Sequence, residues 1–280
     1  MTFVLGMKCS DGLVLVSDTL ESGGVAKRYR GKLYALNTQP LWGVAWGVAG
    51  NAHIADKFSD KVKSLIQSQT KYNLPKLELL VENCLKHIRK QYPNPDDDID
   101  VVFGIFGRPL LSDDGSNIEY YSLPEWTLYR GTSETACLSP EREYAVAGMD
   151  VTLASFVLDN MYFKMYRVDQ TQRLGVFTTA LMEKYAAGVG GPIEGLSYRP
   201  DWGAFRPLLN GEVETILKQF PIDGMSGICV NASKWWSDNP AHLDFKKVAL
   251  NELAVNKAKK PIPQSSNLSG HRQKAQKKKK

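Results

Sequence analysis

Along the first eighteen residues, Phe3, Leu5 and Met7 alternate with Val4, Gly6 and Lys8. A turn follows at Ser10-Asp11-Gly12, and a second apolar run, Leu13 to Val16, leads to Ser17 and Asp18. This pattern predicts a two-stranded hairpin at the beginning of the chain. Glu21 to Gly24 reads as a turn, and a strongly basic segment with Lys27, Arg28 and Arg30 runs to Gly31. Lys32 to Leu36 alternates as a third strand, Asn37 to Pro40 turns, and Leu41 to Ala49 is apolar almost throughout, up to Gly50. A strand of that last kind is expected to be covered on both faces.

The period then changes from two to three and four. Asn51 is placed to cap a helix to about Gln69, with Ile54, Phe58, Val62, Leu65 and Ile66 on one face. Leu74-Pro75 opens a second helix carrying Leu77, Leu80, Val81, Cys84, Leu85 and Ile88. The spacing and the Asn and Pro at the starts are those of amphipathic helices packed on one side. Asn94 to Asp98 reads as a loop, Ile99 to Phe106 as a buried strand, and Ile118–Leu123, Trp126–Tyr129 and Tyr144–Val146 as further strands. Val151–Tyr162 and Gln170–Ala187 form a second helix pair, broken by Gly188-Val-Gly-Gly-Pro192, after which Ile193–Tyr198 and Trp202–Phe205 return to strand. Strands, two helices, strands, two helices, strands is the order expected of an α+β fold, a four-layer αββα sandwich of two antiparallel sheets flanked by helix pairs.

Composition adds limits. A chain of 280 residues with 43% hydrophobic content can bury one large core and still carry an extension. The net charge of +5 misleads as an average. Nine of the 35 basic residues lie in Lys257–Lys280, which has no Asp or Glu, so the remainder holds 26 basic against 30 acidic residues, a net −4. That tail, with prolines and serines and hardly a large apolar group, is expected to be disordered. At most it makes a weak, salt-dependent contact with an acidic partner or nucleic acid. Three segments result: 1–205, a core domain; 206–256, an extension with helical spacing at Leu209, Val213, Ile216, Leu217 and Phe220 and a Trp235-Trp236 pair; and 257–280, the basic tail.

Cys9, Cys84, Cys137 and Cys229 are scattered without a CxxC pair, the usage of reduced thiols in a cytoplasmic protein. The N-terminus lacks the basic and apolar regions of a signal peptide. The longest apolar stretch, Leu41 to Gly50, is about half of the roughly 20 residues that a membrane helix requires, so no membrane contact is expected. His53, His87, His242 and His271 have no metal-ligand spacing, Asp96-Asp97-Asp98 reads as a solvated turn, and no metal or cofactor is implied.

The chemistry that stands out is at the front. Thr2 follows the initiator methionine, and a small second residue permits its removal. An N-terminal threonine combines a hydroxyl nucleophile with an α-amine whose reference pKa, about 7.7 to 8.0, leaves it partly neutral at pH 7. No histidine base is then required.

Thr2, the hairpin with Lys8-Cys-Ser-Asp-Gly12, Ser17-Asp18-Thr19, Lys32 opening the next strand, Val48-Ala-Gly50 and Gly188-Val-Gly-Gly-Pro-Ile193 together resemble the N-terminal nucleophile hydrolases, specifically proteasome β-type subunits and their bacterial relatives. The resemblance spans Thr2 to Phe205 and implies the fold already described. It also implies a role for each residue. Thr2 would be the nucleophile, Lys32 a buried cation that lowers the proton affinity of its amine and hydroxyl, and Asp18 the group that keeps the lysine charged and oriented. Gly50 would offer a backbone N–H to the oxyanion. Lys32 falls two residues earlier than is usual in that family, and Lys27 is the alternative.

Two departures accompany the resemblance. The family has a Ser near Ala147-Gly148-Met149-Asp150, and an Asp and Ser near Ala186-Ala187-Gly188-Val189, supporting the amine; here either Asp150 or a neighbouring subunit substitutes, or the amine is less well activated. The implied activity is a threonine-type peptidase acting on peptide or unfolded protein in a homo-oligomeric ring. A transpeptidase using the same acyl-enzyme and a non-catalytic scaffold subunit are the alternatives. A scaffold of the α type would carry a helix ahead of the first strand, and nothing precedes Thr2 but Met1.

Overall fold

The structure is a computed structural model that describes residues 2–23, 26–38, 42–108, 110–112, 120–121, 123–148 and 151–219. Trp235-Trp236, Cys229, Asp150 and the basic tail therefore lie outside the described residues.

The hairpin at the front forms as expected: β1 (Phe3–Cys9) and β2 (Gly12–Ser17) pair antiparallel, Val4 opposite Ser17 and Cys9 opposite Gly12. The following segment differs from its reading as a turn and a basic stretch. It is a second hairpin, β3 (Leu20–Gly23) with β4 (Ala26–Tyr29). Polar composition conceals it because backbone bonds anchor it, Leu20 N–H to the Gly190 carbonyl (2.7 Å) and Arg30 N–H to the Thr19 carbonyl (2.8 Å). Then come β5 (Leu33–Thr38), β6 (Trp42–Gly50), α1 (Ala52–Gln67) and α2 (Leu74–Gln91). Asn51 caps α1 through His53 N–H at 3.1 Å, and Asn73 caps α2 through Lys76 N–H at 3.0 Å, so each helix starts where a side-chain oxygen meets an orphan amide.

Beyond a single 3-10 turn at Pro95–Asp97 runs β7 (Ile99–Gly107). A small pair follows, β8 (Leu110–Ser112) with β9 (Tyr120–Tyr121). The chain continues through β10 (Glu125–Thr132), β11 (Cys137–Glu141), β12 (Tyr144–Gly148), α3 (Val151–Met161), α4 (Val168–Tyr185), β13 (Glu194–Tyr198), β14 (Phe205–Pro207) and α5 (Asn210–Gln219). Two of these strands depart from the apolar pattern for the same reason, β11 unforeseen and β14 displaced from the expected Trp202–Phe205. β11 contains Pro140 and is mostly exposed, and β14 ends in Pro207; both are edge strands, where a missing N–H is tolerated. Trp202, expected in the last strand, lies instead beside the guanidinium groups of Arg199 (5.4 Å) and Arg206 (5.1 Å).

The two main sheets run β12-β1-β2-β13-β14 and β11-β10-β7-β6-β5. Alternation along β6 shows how the layers are assigned. Trp42, Val44, Trp46 and Val48 enter a core with Phe58, Val62, Leu77 and Leu85 of α1 and α2, whereas Ala45 and Ala49 enter the core between the sheets with Val4, Leu13 and Leu15. Small residues thus face the sheet-to-sheet interior and large ones the helices, which explains why β6 reads as one unbroken apolar run. On the far side α4 covers β1 and β2, with Gly175 packed close to Met7 and Val16. Asp11, in the β1–β2 turn, accepts the Val168 N–H at 2.8 Å and so fixes where α4 begins. The outcome is the expected four-layer αββα sandwich, with α5 adding Val213 and Ile216 as buried contacts beyond β14.

Trp46 is the largest buried side chain on the helix side, stacked between Tyr34 (5.4 Å) and Phe103 (5.5 Å). Its indole N–H donates to Ser59 Oγ at 3.1 Å. Ser59→Ala would leave that donor buried without an acceptor, and chemical denaturation is expected to show a loss of about 1–3 kcal/mol.

Candidate active site

The hairpin register brings the first candidate residues together. Because Val4 faces Ser17, the residue after β2 reaches back to the residues before β1, and Phe3 N–H donates to Asp18 Oδ1 at 2.8 Å. Ser17 Oγ donates to the Phe3 carbonyl at 3.0 Å and closes the same corner. Thr2 is therefore held beside Asp18, and it is itself buried, at 7% exposure.

Lys32 approaches from the other sheet. It stands one residue ahead of β5, and its Nζ donates to Asp18 Oδ1 (2.8 Å) and to the Leu20 carbonyl (2.6 Å). Lysine at 8% exposure and Asp18 at 1% form a buried ion pair. Burial lowers the proton affinity of the ammonium, and the charges of Asp18, Glu194 and Glu21 work in the opposite direction. The second oxygen of Asp18 accepts the Gly190 N–H at 3.1 Å, so the Gly188–Pro192 turn positions the carboxylate from behind. Of the two lysines considered, Lys32 meets Asp18, and the backbone of Lys27 lies in β4, opposite Ser22.

Gly50 ends β6 and, with Thr2 and Lys32, lines a cleft of about 320 Å³ walled by Tyr34, Val48 and Ala52. The Arg30–Asp56 ion pair lies along the same cleft. Gly50 has φ +118°, and a Cβ there would come 2.4 Å from the Asp98 carbonyl, so only glycine fits. Thr2 and Gly50 also border a second cleft together with Asp96, Asp98 and Asp100. The latter two carboxylates pair with Arg89 (3.2 Å) and Arg130 (3.5 Å).

Gly148 explains how Thr2 is packed. It sits opposite Phe3 at φ +102°, and a Cβ would fall 1.9 Å from the Thr2 carbonyl oxygen. The backbone of β12 can therefore approach Thr2 only without a side chain at 148. Among the described residues no side chain hydrogen-bonds to Thr2, and Ala186 and Val189 near the last Gly-Gly are buried apolar groups.

Comparison with solved structures follows from this geometry. The chain has the fold of Anbu. Anbu (ancestral beta-subunit) from Yersinia bercovieri superposes with a TM-score of 0.62 at 13% identity, over 77% of this chain and 92% of that one. An Anbu mutant from Hyphomicrobium sp. strain MC1 gives 0.62 at 17% identity, over 88% and 97%. The helical assembly of the Anbu complex from Pseudomonas aeruginosa gives 0.59 at 15% identity, over 94% and 98%. At these identities the likeness establishes the fold alone. It also corrects the family expectation: the structures this chain resembles are Anbu proteins, not the proteasome β-type subunits that the first fifty residues pointed to. No family model matches the chain, and no curated protein does.

One member of the cluster was not visible from the sequence. Glu194, the first residue of β13, directs its carboxylate at the main chain of Lys32 and Leu33. A single acidic residue near the start of the expected Ile193–Tyr198 strand was the available sign. The Leu20 carbonyl and the Gly190 N–H leave no sign in the sequence, because they act through backbone.

Proposed function

We propose that the chain is a threonine-type amide hydrolase, a peptidase, in which Thr2 becomes the N-terminal residue once Met1 is removed. The observation that carries the reading is the buried Lys32–Asp18 pair at 2.8 Å, whose lysine shares a cleft with Thr2 and Gly50. A buried ammonium next to a hydroxyl and an amine favours their deprotonated forms, which is what a nucleophile and its base require.

In the proposed cycle the Thr2 α-amine takes the hydroxyl proton as Oγ attacks the substrate carbonyl carbon. The Gly50 N–H faces the oxygen that becomes negative, an interaction worth about 10²–10³-fold in rate in hydrolases. The C–N bond breaks as the amine returns the proton to the leaving nitrogen, and water then cleaves the Thr2 ester. Asp18 keeps Lys32 charged throughout. Clefts on two sides of Thr2 suit an extended peptide that passes over it.

Self-association into a homo-oligomer belongs to the same proposal, supported by the Anbu complex of Pseudomonas aeruginosa, whose assembly is helical. An acyl-enzyme of this kind could also pass to an amine, giving a transpeptidase. The scaffold alternative has one observation in its favour, the lack of a described side chain bonded to Thr2.

Intact-mass measurement of the full chain, with and without an epoxyketone peptide, tests the reading. The expected result is loss of one methionine and a single adduct, because that group needs both an amine and a hydroxyl on one residue. Retained Met1 with no adduct overturns it.

A further inference from the structure

We propose that Glu194 is the positioning residue for Lys32: its carboxylate binds the lysine's main chain and sets a second negative charge beside the Asp18–Lys32 pair. This rests on the reading that Lys32 serves Thr2. The geometry comes from both sheets. β5 is the edge strand of its sheet, so the segment entering it has no neighbouring strand on its outer side. Glu194 supplies what a strand would have supplied. One carboxylate oxygen, Oε1, accepts the Lys32 N–H and also the Leu33 N–H, the latter at 2.8 Å.

The carboxylate is delivered by β13, where Glu194 faces Ser17, the residue before Asp18. Both carboxylates that surround Lys32 therefore stand on neighbouring strands of one sheet, and the lysine reaches them from the other. Gly31 allows the close wrap, since a Cβ at that position would come 3.0 Å from Glu194 Oε2. At its far end Lys32 spends two donors, on Asp18 and on the Leu20 carbonyl, and an ammonium has three. Among the described residues the third meets no acceptor, and Lys32 lines the cleft where Thr2 lies. Fixing the main chain at one end and two donors at the other leaves the side chain little freedom, which is the requirement for a group acting by its charge at a distance.

A carboxylate that only tied a strand edge would show the same two N–H bonds, so the test must separate charge from anchoring. Glu194→Gln retains an oxygen able to accept both N–H groups and removes the charge; Glu194→Ala removes both. The Lys32 titration is followed in the full chain by lysine ¹³Cε NMR, assigned with Lys32→Arg, alongside kcat and KM for a peptide amide.

Burial already pulls Lys32 below the ordinary lysine value of 10.5, and the negative groups facing it, Asp18, Glu194 and Glu21, resist that pull. The other charges along the cleft, Arg30 and Asp56, pair with one another. Removing one negative group therefore moves the loss of the Lys32 proton to lower pH, by about one unit in Glu194→Gln. The alkaline limb of kcat is expected to move with it. In Glu194→Ala kcat is expected to fall about tenfold further, with KM little changed, because the lysine is no longer held.

An unmoved Lys32 titration in the Gln variant overturns the proposal, whatever happens to stability. The NMR measurement needs no turnover, so absence of Thr2 chemistry in the native chain would overturn the hydrolase reading while the titration still decided the role of Glu194.

Discussion

Replacing Thr2 by alanine is expected to abolish cleavage of peptide amides while the chain still folds and assembles. Alanine is as small a second residue as threonine, so methionine removal is unaffected and only the hydroxyl is lost. Removal of a nucleophile in hydrolases that work by acyl-enzymes lowers kcat by about 10³-fold or more. The cost in stability is small by comparison. The Thr2 hydroxyl bonds to no described side chain, and the residue contributes mainly through its backbone against Gly148. A partly buried hydroxyl without a partner is worth about 1 kcal/mol or less to the fold. Turnover and denaturation measured on the same preparation therefore separate the two roles. Cleavage by Thr2→Ala at the native rate would remove Thr2 from the chemistry altogether.

Asp18→Ala is expected to damage both properties at once. Three donors converge on this carboxylate: Lys32 Nζ at 2.8 Å, Phe3 N–H at 2.8 Å and Gly190 N–H at 3.1 Å. With Asp18 only 1% exposed, water cannot replace it. Breaking a buried pair by removing one member typically costs about 3–5 kcal/mol, because the remaining charge is left uncompensated. Lys32 would relieve that penalty by giving up its proton, and the positive charge beside Thr2 would disappear. The rate should then fall nearly as far as in Lys32→Ala, which removes the same charge directly and is expected to approach Thr2→Ala in severity. Asp18→Asn is the informative companion. Phe3 N–H and Gly190 N–H bind different oxygens of Asp18, so asparagine keeps an acceptor for one of them and turns its NH2 toward the other; it should recover only part of the lost stability and little of the rate. Asparagine restoring the full rate would show that geometry, and not charge, is what Asp18 supplies.

Much of the architecture was legible from apolar spacing. The hairpin at the front, the two helix pairs and the buried strands Trp42–Gly50 and Ile99–Gly107 are all segments whose side chains enter a core on at least one face. Where burial does not govern the backbone, the pattern fell silent. The Leu20–Gly23 and Ala26–Tyr29 ribbon is held by main-chain bonds at its ends, and the Cys137–Glu141 strand is a sheet edge with a proline. The family expectation failed for a related reason. The motif residues lie in short local segments, and the structures that the whole fold resembles are Anbu proteins.

For the site, residue types and order were readable: a threonine behind the initiator methionine, an aspartate closing a hairpin, a lysine opening a strand and a glycine ending one. These are local features of one chain segment each, and it was their joint resemblance to a family, not any one of them alone, that nominated them. That Lys32 meets Asp18, and that Glu194 grips that lysine's backbone, only the tertiary structure decided. Those contacts join residues 14 and 162 positions apart across two sheets, and no periodicity along a chain encodes which strand edges will be brought face to face. Packing of the layers does, by burying the Lys32–Asp18 pair where solvent no longer screens it.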